Sequence, residues 1–136
     1  MKNITMKKTL VLCLAMVLVC IGAVAKSSKN LLPMPQQITV SGGSLTIGKV
    51  ALETSVLQPE WQKFIADAGG EIVPKSSRKI EVKLVSEVKG AKLNQEEAYR
   101  LVVSPKGVLV EATTEKGVYW ALQTLRQLEE KKGRFE

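Results

Sequence analysis

The sequence predicts an α+β domain in which two helices cover one face of a mostly antiparallel or mixed β-sheet. Three observations support this fold class. Residues 99–112 alternate apolar and polar side chains on both sides of a Pro-Lys-Gly turn, which is typical of a β-hairpin. Residues 113–128 then change to a period of 3.6, typical of an amphipathic helix, and residues 59–68 carry a second pattern of this kind. The order strands, helix, strand, hairpin, helix predicts that both helices pack on one sheet.

The hairpin and the last helix have the clearest pattern in the chain. Pro105 presets φ at the turn, and Gly107 can adopt a positive φ where the chain reverses. Thr113 or Thr114 is the expected N-cap of the helix, and Glu115 lies in its first turn. The apolar residues that fall on one side of this helix are Val118, Ala121, Leu122, Leu125 and Leu128.

The preceding elements are shorter. Residues 38–40 and 45–47 predict two strands joined by a turn at 41–43, and residues 50–52 continue the sheet. A helix follows at 59–68, with Pro59 at its first position and Gly69 and Gly70 at its end. Residues 79–85 alternate as a strand with Ile80, Val82 and Leu84 facing inward, and residues 90–97 form a polar connection.

Residues 1–25 have the pattern of an export signal. Lys2, Lys7 and Lys8 precede an apolar run over residues 10–24, and Ala23-Val24-Ala25 fits the cleavage rule for small residues. An uncleaved anchor is the first alternative, but the run is short of the roughly 20 residues that span a bilayer. Lipidation at Cys20 is a second alternative, although the preceding residues lack the small side chain that such processing prefers. We therefore expect an exported protein, periplasmic or extracellular, without membrane attachment after cleavage.

The composition of residues 26–136, the expected mature domain, excludes several kinds of site. Cys13 and Cys20 both lie in the signal, so the domain has no disulfide, no thiolate nucleophile and no zinc-thiolate site. The absence of histidine excludes Ser-His or Cys-His catalysis and His-ligated metals. With 17 basic and 13 acidic residues left after cleavage, the formal net charge falls from +7 to +4. The basic residues are dispersed and lack interleaved aromatics, so we expect no nucleic-acid partner.

The remaining acidic and glycine-rich segments are expected to form loops, helix ends and turns rather than catalytic or phosphate-binding sites. Glu96 and Glu97 resemble an acid–base pair, but adjacent residues in an extended segment point apart, so a solvated loop is expected. Residues 129–132 are expected to be a charged helix end, and Asp67 to face solvent at the end of the first helix. The Gly-Gly pairs at 42–43 and 69–70 lack the context of a phosphate loop and predict turns. No cofactor, metal or catalytic site is predicted.

Two motifs carry a resemblance to a known family. The strand ending at 111–113 and the helix 117–128 (GVYWALQTLRQL) resemble the N-terminal domain of bacterial β-N-acetylhexosaminidases of glycoside hydrolase family 20. Residues 30–37 (NLLPMPQQ) resemble the P-x-P start of that domain. The resemblance covers most of residues 30–130 and implies the same α+β fold.

The resemblance also implies where the chemistry lies. Family 20 enzymes remove terminal N-acetylhexosamine from glycans with an adjacent Asp-Glu pair on a (β/α)8 barrel, in which the substrate acetamide acts as nucleophile. The sole aspartate here, Asp67, precedes Ala68, so no catalytic residue is carried over. The resemblance thus implies a non-catalytic domain, inactive by itself, whose partner is a missing barrel and which meets glycan only through that barrel. The chain looks like a fragment.

Two alternatives to this function remain. The first is a stand-alone exported carbohydrate-binding or protein-interaction module that retained the domain without the enzyme. The second is an uncharacterised exported α+β enzyme, which the lack of His, Cys and clustered acids disfavours.

The two tryptophans differ in their predicted environment. Trp61 lies on the apolar side of the first helix and is expected in the core. At 100° per residue, Trp120 lies roughly opposite the apolar side of the last helix, so we expect an exposed side chain. Our hypothesis is that Trp120, together with Tyr119, contacts the missing barrel. A glycan-stacking platform is the alternative.

Overall fold

The computed structural model describes residues 43–136, which fold into two helices and eight short strands. Helix α1 spans Gln58–Asp67 and helix α2 spans Glu115–Leu128. The strands are β1 (Leu45–Thr46), β2 (Lys49–Glu53), β3 (Glu71–Ile72), β4 (Lys79–Leu84), β5 (Tyr99–Ser104), β6 (Gly107–Ala112), β7 (Glu129–Lys131) and β8 (Arg134–Phe135). The α+β fold class is confirmed. The predicted strand at 38–40, the P-x-P motif and the signal at 1–25 lie outside the described residues.

The larger sheet has five strands in the order β3-β2-β4-β6-β5. Strands β3, β2, β4 and β6 are parallel, and β5 is antiparallel to β6, so the sheet is mixed. The β5–β6 hairpin is the one that the alternation predicts. Thr114 caps α2 by accepting a hydrogen bond from the Gly117 amide at 3.3 Å, which decides between the two expected caps.

The smaller sheet corrects the prediction for the C-terminal end of the described chain. Helix α2 ends at Leu128, and Glu129–Lys131 forms strand β7 instead of a charged helix end. Gly133, with φ of +73°, turns the chain into β8, which pairs antiparallel with both β7 and β1. A reverse turn and pairing with the distant β1 thus override the helical propensity of the Glu and Lys residues.

The core lies between the helices and one face of the larger sheet. Ile80 and Val108 are register partners, so they share that face, and both are buried. Trp61 is fully buried against the same cluster, as predicted, and its ring meets Phe64 edge-on with centroids 6.0 Å apart. Leu84 is an exception to the predicted inward alternation, because it remains 48% exposed at the end of β4.

The opposite face of the larger sheet carries charged residues. Lys79 pairs with Glu53 at 2.8 Å, and the pairs Lys83–Glu81 and Arg100–Glu111 each span 3.0 Å. These side chains are partly exposed, and such pairs contribute little to stability. The face has the character of a solvated surface.

Within residues 43–136, neither helix has the length and apolarity that a membrane crossing requires.

Candidate functional site

Two of the described acidic residues, Asp67 and Glu97, pair with lysines. Asp67 faces solvent, as predicted, and accepts a hydrogen bond from Lys63 at 2.8 Å, which lowers the pKa of the Asp67 carboxyl. Glu97 pairs with Lys116 across the start of α2, and the hydrogen bond from Lys116 lowers the pKa of Glu97. Within the described residues, no three His, Cys, Asp or Glu side chains lie close enough together to hold a metal ion.

Two depressions lie in the described surface. One of 220 Å³ is lined by Asp67 and residues 129–132, and one of 280 Å³ lies at the edge of β2 and β3. The first holds only carboxylates and lysines, and the second is lined by residues 51–53 and 72–74, of which Glu53 alone is ionisable. A nucleophile next to a base, the arrangement that covalent catalysis requires, is present in neither lining.

The outward side of α2 presents an aromatic pair, Tyr119 and Trp120. Tyr119 is 44% exposed. The two rings meet at 68° with centroids 5.3 Å apart. We call these two residues the aromatic pair.

Trp120 is half-buried, and this corrects the expectation of an exposed side chain. Along the helix it lies three residues after Gly117 and four before Thr124, so it shares their flank. That flank adjoins β5, because the Thr124 hydroxyl is hydrogen-bonded to the Tyr99 hydroxyl at 2.6 Å. A helical projection places Trp120 correctly on the helix but does not include the strand beside it. Tyr119 is therefore the more exposed aromatic residue.

A loop at residues 85–98 lies against the first turn of α2. The Gln95 side chain accepts from the Val88 amide at 3.0 Å and donates to the carbonyls of Val88 and Ala91. The Thr113 hydroxyl donates to the Gln95 carbonyl at 2.5 Å, and the Thr114 hydroxyl donates to the carbonyl of Glu96. The loop is thus fastened both internally and to the helix.

The tip of this loop exposes Leu93, whose residue surface is 75% accessible. Leu93 is not among the residues that the sequence pattern singles out, because residues 90–97 have the composition of a polar connection. The available signal was a single leucine within a polar stretch, residues 92–97 (KLNQEE). Such residues are common on protein surfaces, so the signal was weak.

Comparison with known proteins identifies a family and similar solved structures. The family model of glycosyl hydrolase family 20, domain 2, matches residues 28–135. No curated protein sequence matches the chain. The fold is similar to that of a GH20 exo-β-N-acetylglucosaminidase from Vibrio harveyi, solved in complex with N-acetylglucosamine, with a TM-score of 0.53 and 22% sequence identity.

The similarity to the Vibrio harveyi enzyme covers 76% of this chain and 17% of that protein. At this identity the structural comparison shows the fold alone, and the family match supplies the assignment. The resemblance to family 20 seen in the sequence is confirmed. The chain belongs to glycosyl hydrolase family 20, of which it contains domain 2.

Proposed function

We propose that this domain is the non-catalytic N-terminal part of an exported β-N-acetylhexosaminidase, where it packs on the (β/α)8 barrel and steadies it. The family match and the hexosaminidase-like fold support the enzyme class. The charged start, apolar run and Ala-Val-Ala site of residues 1–25 support export. In this proposal, glycan substrate binds only at the barrel.

The observation that carries the supporting role is the aromatic pair on the outward side of α2. The opposite face of the molecule, on the larger sheet, is covered by ion pairs that suit solvent. The aromatic pair instead leaves a large phenol ring 44% exposed on a helix. Large aromatic side chains contribute strongly when an interface removes them from water. The helical side is therefore the side we assign to the barrel.

The geometry of the pair argues against a glycan platform. A sugar stacks on the flat face of an aromatic ring, and two coplanar rings would extend such a face. Here the rings are inclined by 68°, and Trp120 is half-buried against its own domain. Burial of the ring edges and the Tyr119 hydroxyl in a protein interface fits this arrangement better.

The test is Tyr119→Ala in the polypeptide that joins this domain to its barrel. Tyr119 is a cleaner probe than Trp120, because truncating the half-buried Trp120 also removes contacts within the domain. If the barrel covers Tyr119, the free energy of unfolding should fall by about 2–4 kcal/mol, because both the interface and the contact with the Trp120 ring are lost. If Tyr119 faces solvent, only the contact with Trp120 is lost, and the change should stay within about 0.5–1.5 kcal/mol.

Lys83→Ala on the ion-paired sheet face is the matched control, and it should leave the unfolding free energy nearly unchanged. Equal and small effects of Tyr119→Ala and Lys83→Ala would contradict the proposed role of the aromatic pair.

A further inference from the structure

We propose that the 85–98 loop is a second attachment point for the barrel, with Leu93 as its anchoring side chain. This inference rests on the proposed function and extends it to a segment that the aromatic pair does not include. With only the aromatic pair in contact, the domain could rotate on the barrel. A second contact at Leu93 would fix its orientation.

The first argument is the exposure of Leu93. Its accessible fraction of 75% exceeds those of Leu84 (48%), Tyr119 (44%) and Ile72 (42%), the other exposed large apolar residues of the described chain. A single exposed leucine is ordinary on a protein surface. Exposure alone therefore does not indicate a contact site, and the conformation of the loop that carries Leu93 must also be considered.

The second argument is that the loop presents Leu93 from a fixed scaffold. Val88 is buried. The Gln95 side chain accepts a hydrogen bond from the Val88 amide and donates to the carbonyls of Val88 and Ala91, which ties the loop together. Asn94, directly after Leu93, adopts a positive φ of +50° and donates to the Glu97 carboxylate at 2.8 Å. A tip held in this way loses little conformational entropy on docking, which favours binding.

The third argument is continuity with the aromatic pair. Glu97 accepts from Asn94 and also pairs with Lys116, so a chain of polar contacts runs from the loop tip to α2. Tyr119 and Trp120 follow Lys116 by three and four residues, the spacing at which helical side chains are neighbours. Leu93 and the aromatic pair therefore flank one polar bridge on the same end of the molecule.

The fourth argument identifies the partner. The domain corresponds to 17% of the Vibrio harveyi enzyme, so most of such a protein lies outside it and must contact it on some surface. Glu97 and Lys116 already pair with each other. Leu93 and the aromatic pair, on either side of that ion pair, are therefore the groups whose burial by a partner would be favourable. The occupant we assign to Leu93 is the barrel of the same polypeptide.

Cysteine accessibility tests this proposal, because residues 26–136 contain no cysteine. Leu93→Cys, Tyr119→Cys and Ile72→Cys are each made in the polypeptide that carries the barrel, and each thiol is reacted with a maleimide. The maleimide reaction rate of each native variant is divided by the rate of the same variant unfolded in urea, which corrects for the intrinsic reactivity of the thiol. The unsubstituted protein measures the background reaction of any cysteine in the barrel. Ile72 is the control, since it is similarly apolar and lies on β3, at the opposite edge of the sheet from β5.

We expect the native rates of Leu93→Cys and Tyr119→Cys to be at least about tenfold lower than that of Ile72→Cys, because a covered thiol is inert. Slow Tyr119→Cys with fast Leu93→Cys would overturn this inference and leave the proposed function standing. Fast reaction of both would overturn both. Protection of Leu93→Cys that increases with protein concentration would assign the contact to a second copy of the chain and also overturn the inference.

Discussion

Substitution of Gly107 by alanine tests the most constrained position of the larger sheet. Gly107 opens β6 with φ of +139°, a backbone conformation that side-chain-bearing residues rarely adopt. It pairs with Lys79 of β4, and a Cβ at Gly107 would overlap the Lys79 carbonyl. The obstacle is backbone of the neighbouring strand, so rotation of a side chain cannot relieve it.

The expected loss of stability has two sources, the unfavourable backbone conformation and the overlap of the new Cβ with the Lys79 carbonyl. A residue held in such a backbone region costs about 1–3 kcal/mol, and forced overlap in a packed site typically costs a further 1–3 kcal/mol. The lower entropy of the unfolded chain offsets about 0.4–1 kcal/mol of this sum. We predict that Gly107→Ala lowers the free energy of unfolding by about 3 kcal/mol, within a range of about 1–5, a large part of the 5–15 kcal/mol typical of a domain.

Gly90→Ala measures the cost of the backbone conformation without the steric overlap. Gly90 also has a positive φ, +85°, but a Cβ there would meet no atom within 4 Å. The left-handed backbone costs about 1–2 kcal/mol, and the lower entropy of the unfolded chain offsets about 0.4–1 kcal/mol of it. Gly90→Ala should therefore cost about 1.5 kcal/mol or less.

Urea unfolding followed by tryptophan fluorescence measures both variants, and the Gly107→Ala midpoint should fall by about 1–3 M. A Gly107→Ala variant as stable as Gly90→Ala would refute the argument that β4 and β6 pair in this register.

Three further predictions concern single side chains. Trp61→Phe should change the unfolding free energy by about 1 kcal/mol or less, because relief of the unpaired buried indole N–H offsets the lost contacts. Thr114→Ala should cost about 1–2 kcal/mol, because it removes the N-cap bond of α2 and the bond to the Glu96 carbonyl. The pKa of Glu97 in the folded protein lies below the ordinary value of 4.5, so the stabilisation by the Glu97 carboxylate is complete above pH 4.5 and is lost as the pH falls through the folded pKa. Glu97→Gln should therefore make the loss of stability at acid pH less steep.

Each of these predictions has a control. Phe64→Leu also shrinks a buried ring of α1 but relieves no polar atom, so it should cost more than Trp61→Phe, and the reverse order would contradict the N–H argument. Thr114→Ser retains the capping oxygen and should preserve most of the stability. Parallel pH profiles of the urea midpoint for the wild type and Glu97→Gln would show that the Glu97–Lys116 pair does not stabilise the fold.

Much of the fold was predictable because its main elements are periodic. Trp61, Phe64 and Ile65 mark the buried side of α1, and the alternation around Gly107 marks the β5–β6 hairpin. These signals are local: each depends on residues within one element and on the core that the element must face. Thr114 was one of two expected caps, and its choice over Thr113 required the structure.

The smaller sheet was not predictable in the same way. Strand β7 consists of Glu129, Glu130 and Lys131, which favour helix or solvent, and β8 has only two residues. Their pairing depends on Gly133 and on the contact between Phe135 and Leu45, which lie far apart in sequence. The two-residue strand β3 was missed for a related reason, since so short a segment has no measurable period.

The candidate surface was predicted in part. The helical projection identified Tyr119 and Trp120 but not their order of exposure, because a projection of one helix does not include the strand that packs beside it. Leu93 was missed because its exposure depends on Gln95 and Asn94 holding the loop, and tertiary hydrogen bonds of this kind have no sequence period.

The most direct test of the proposed non-catalytic role is turnover of a chromogenic N-acetylglucosaminide by purified residues 26–136. We predict no activity, with or without added metal, because the chain has no Asp-Glu pair and the described residues contain no group of three His, Cys, Asp or Glu side chains that could hold a metal ion. Under the proposed function, a polypeptide that joins this domain to a barrel should cleave the same substrate. Turnover by residues 26–136 that survives rigorous purification would contradict the account, since the domain would then contain its own active site.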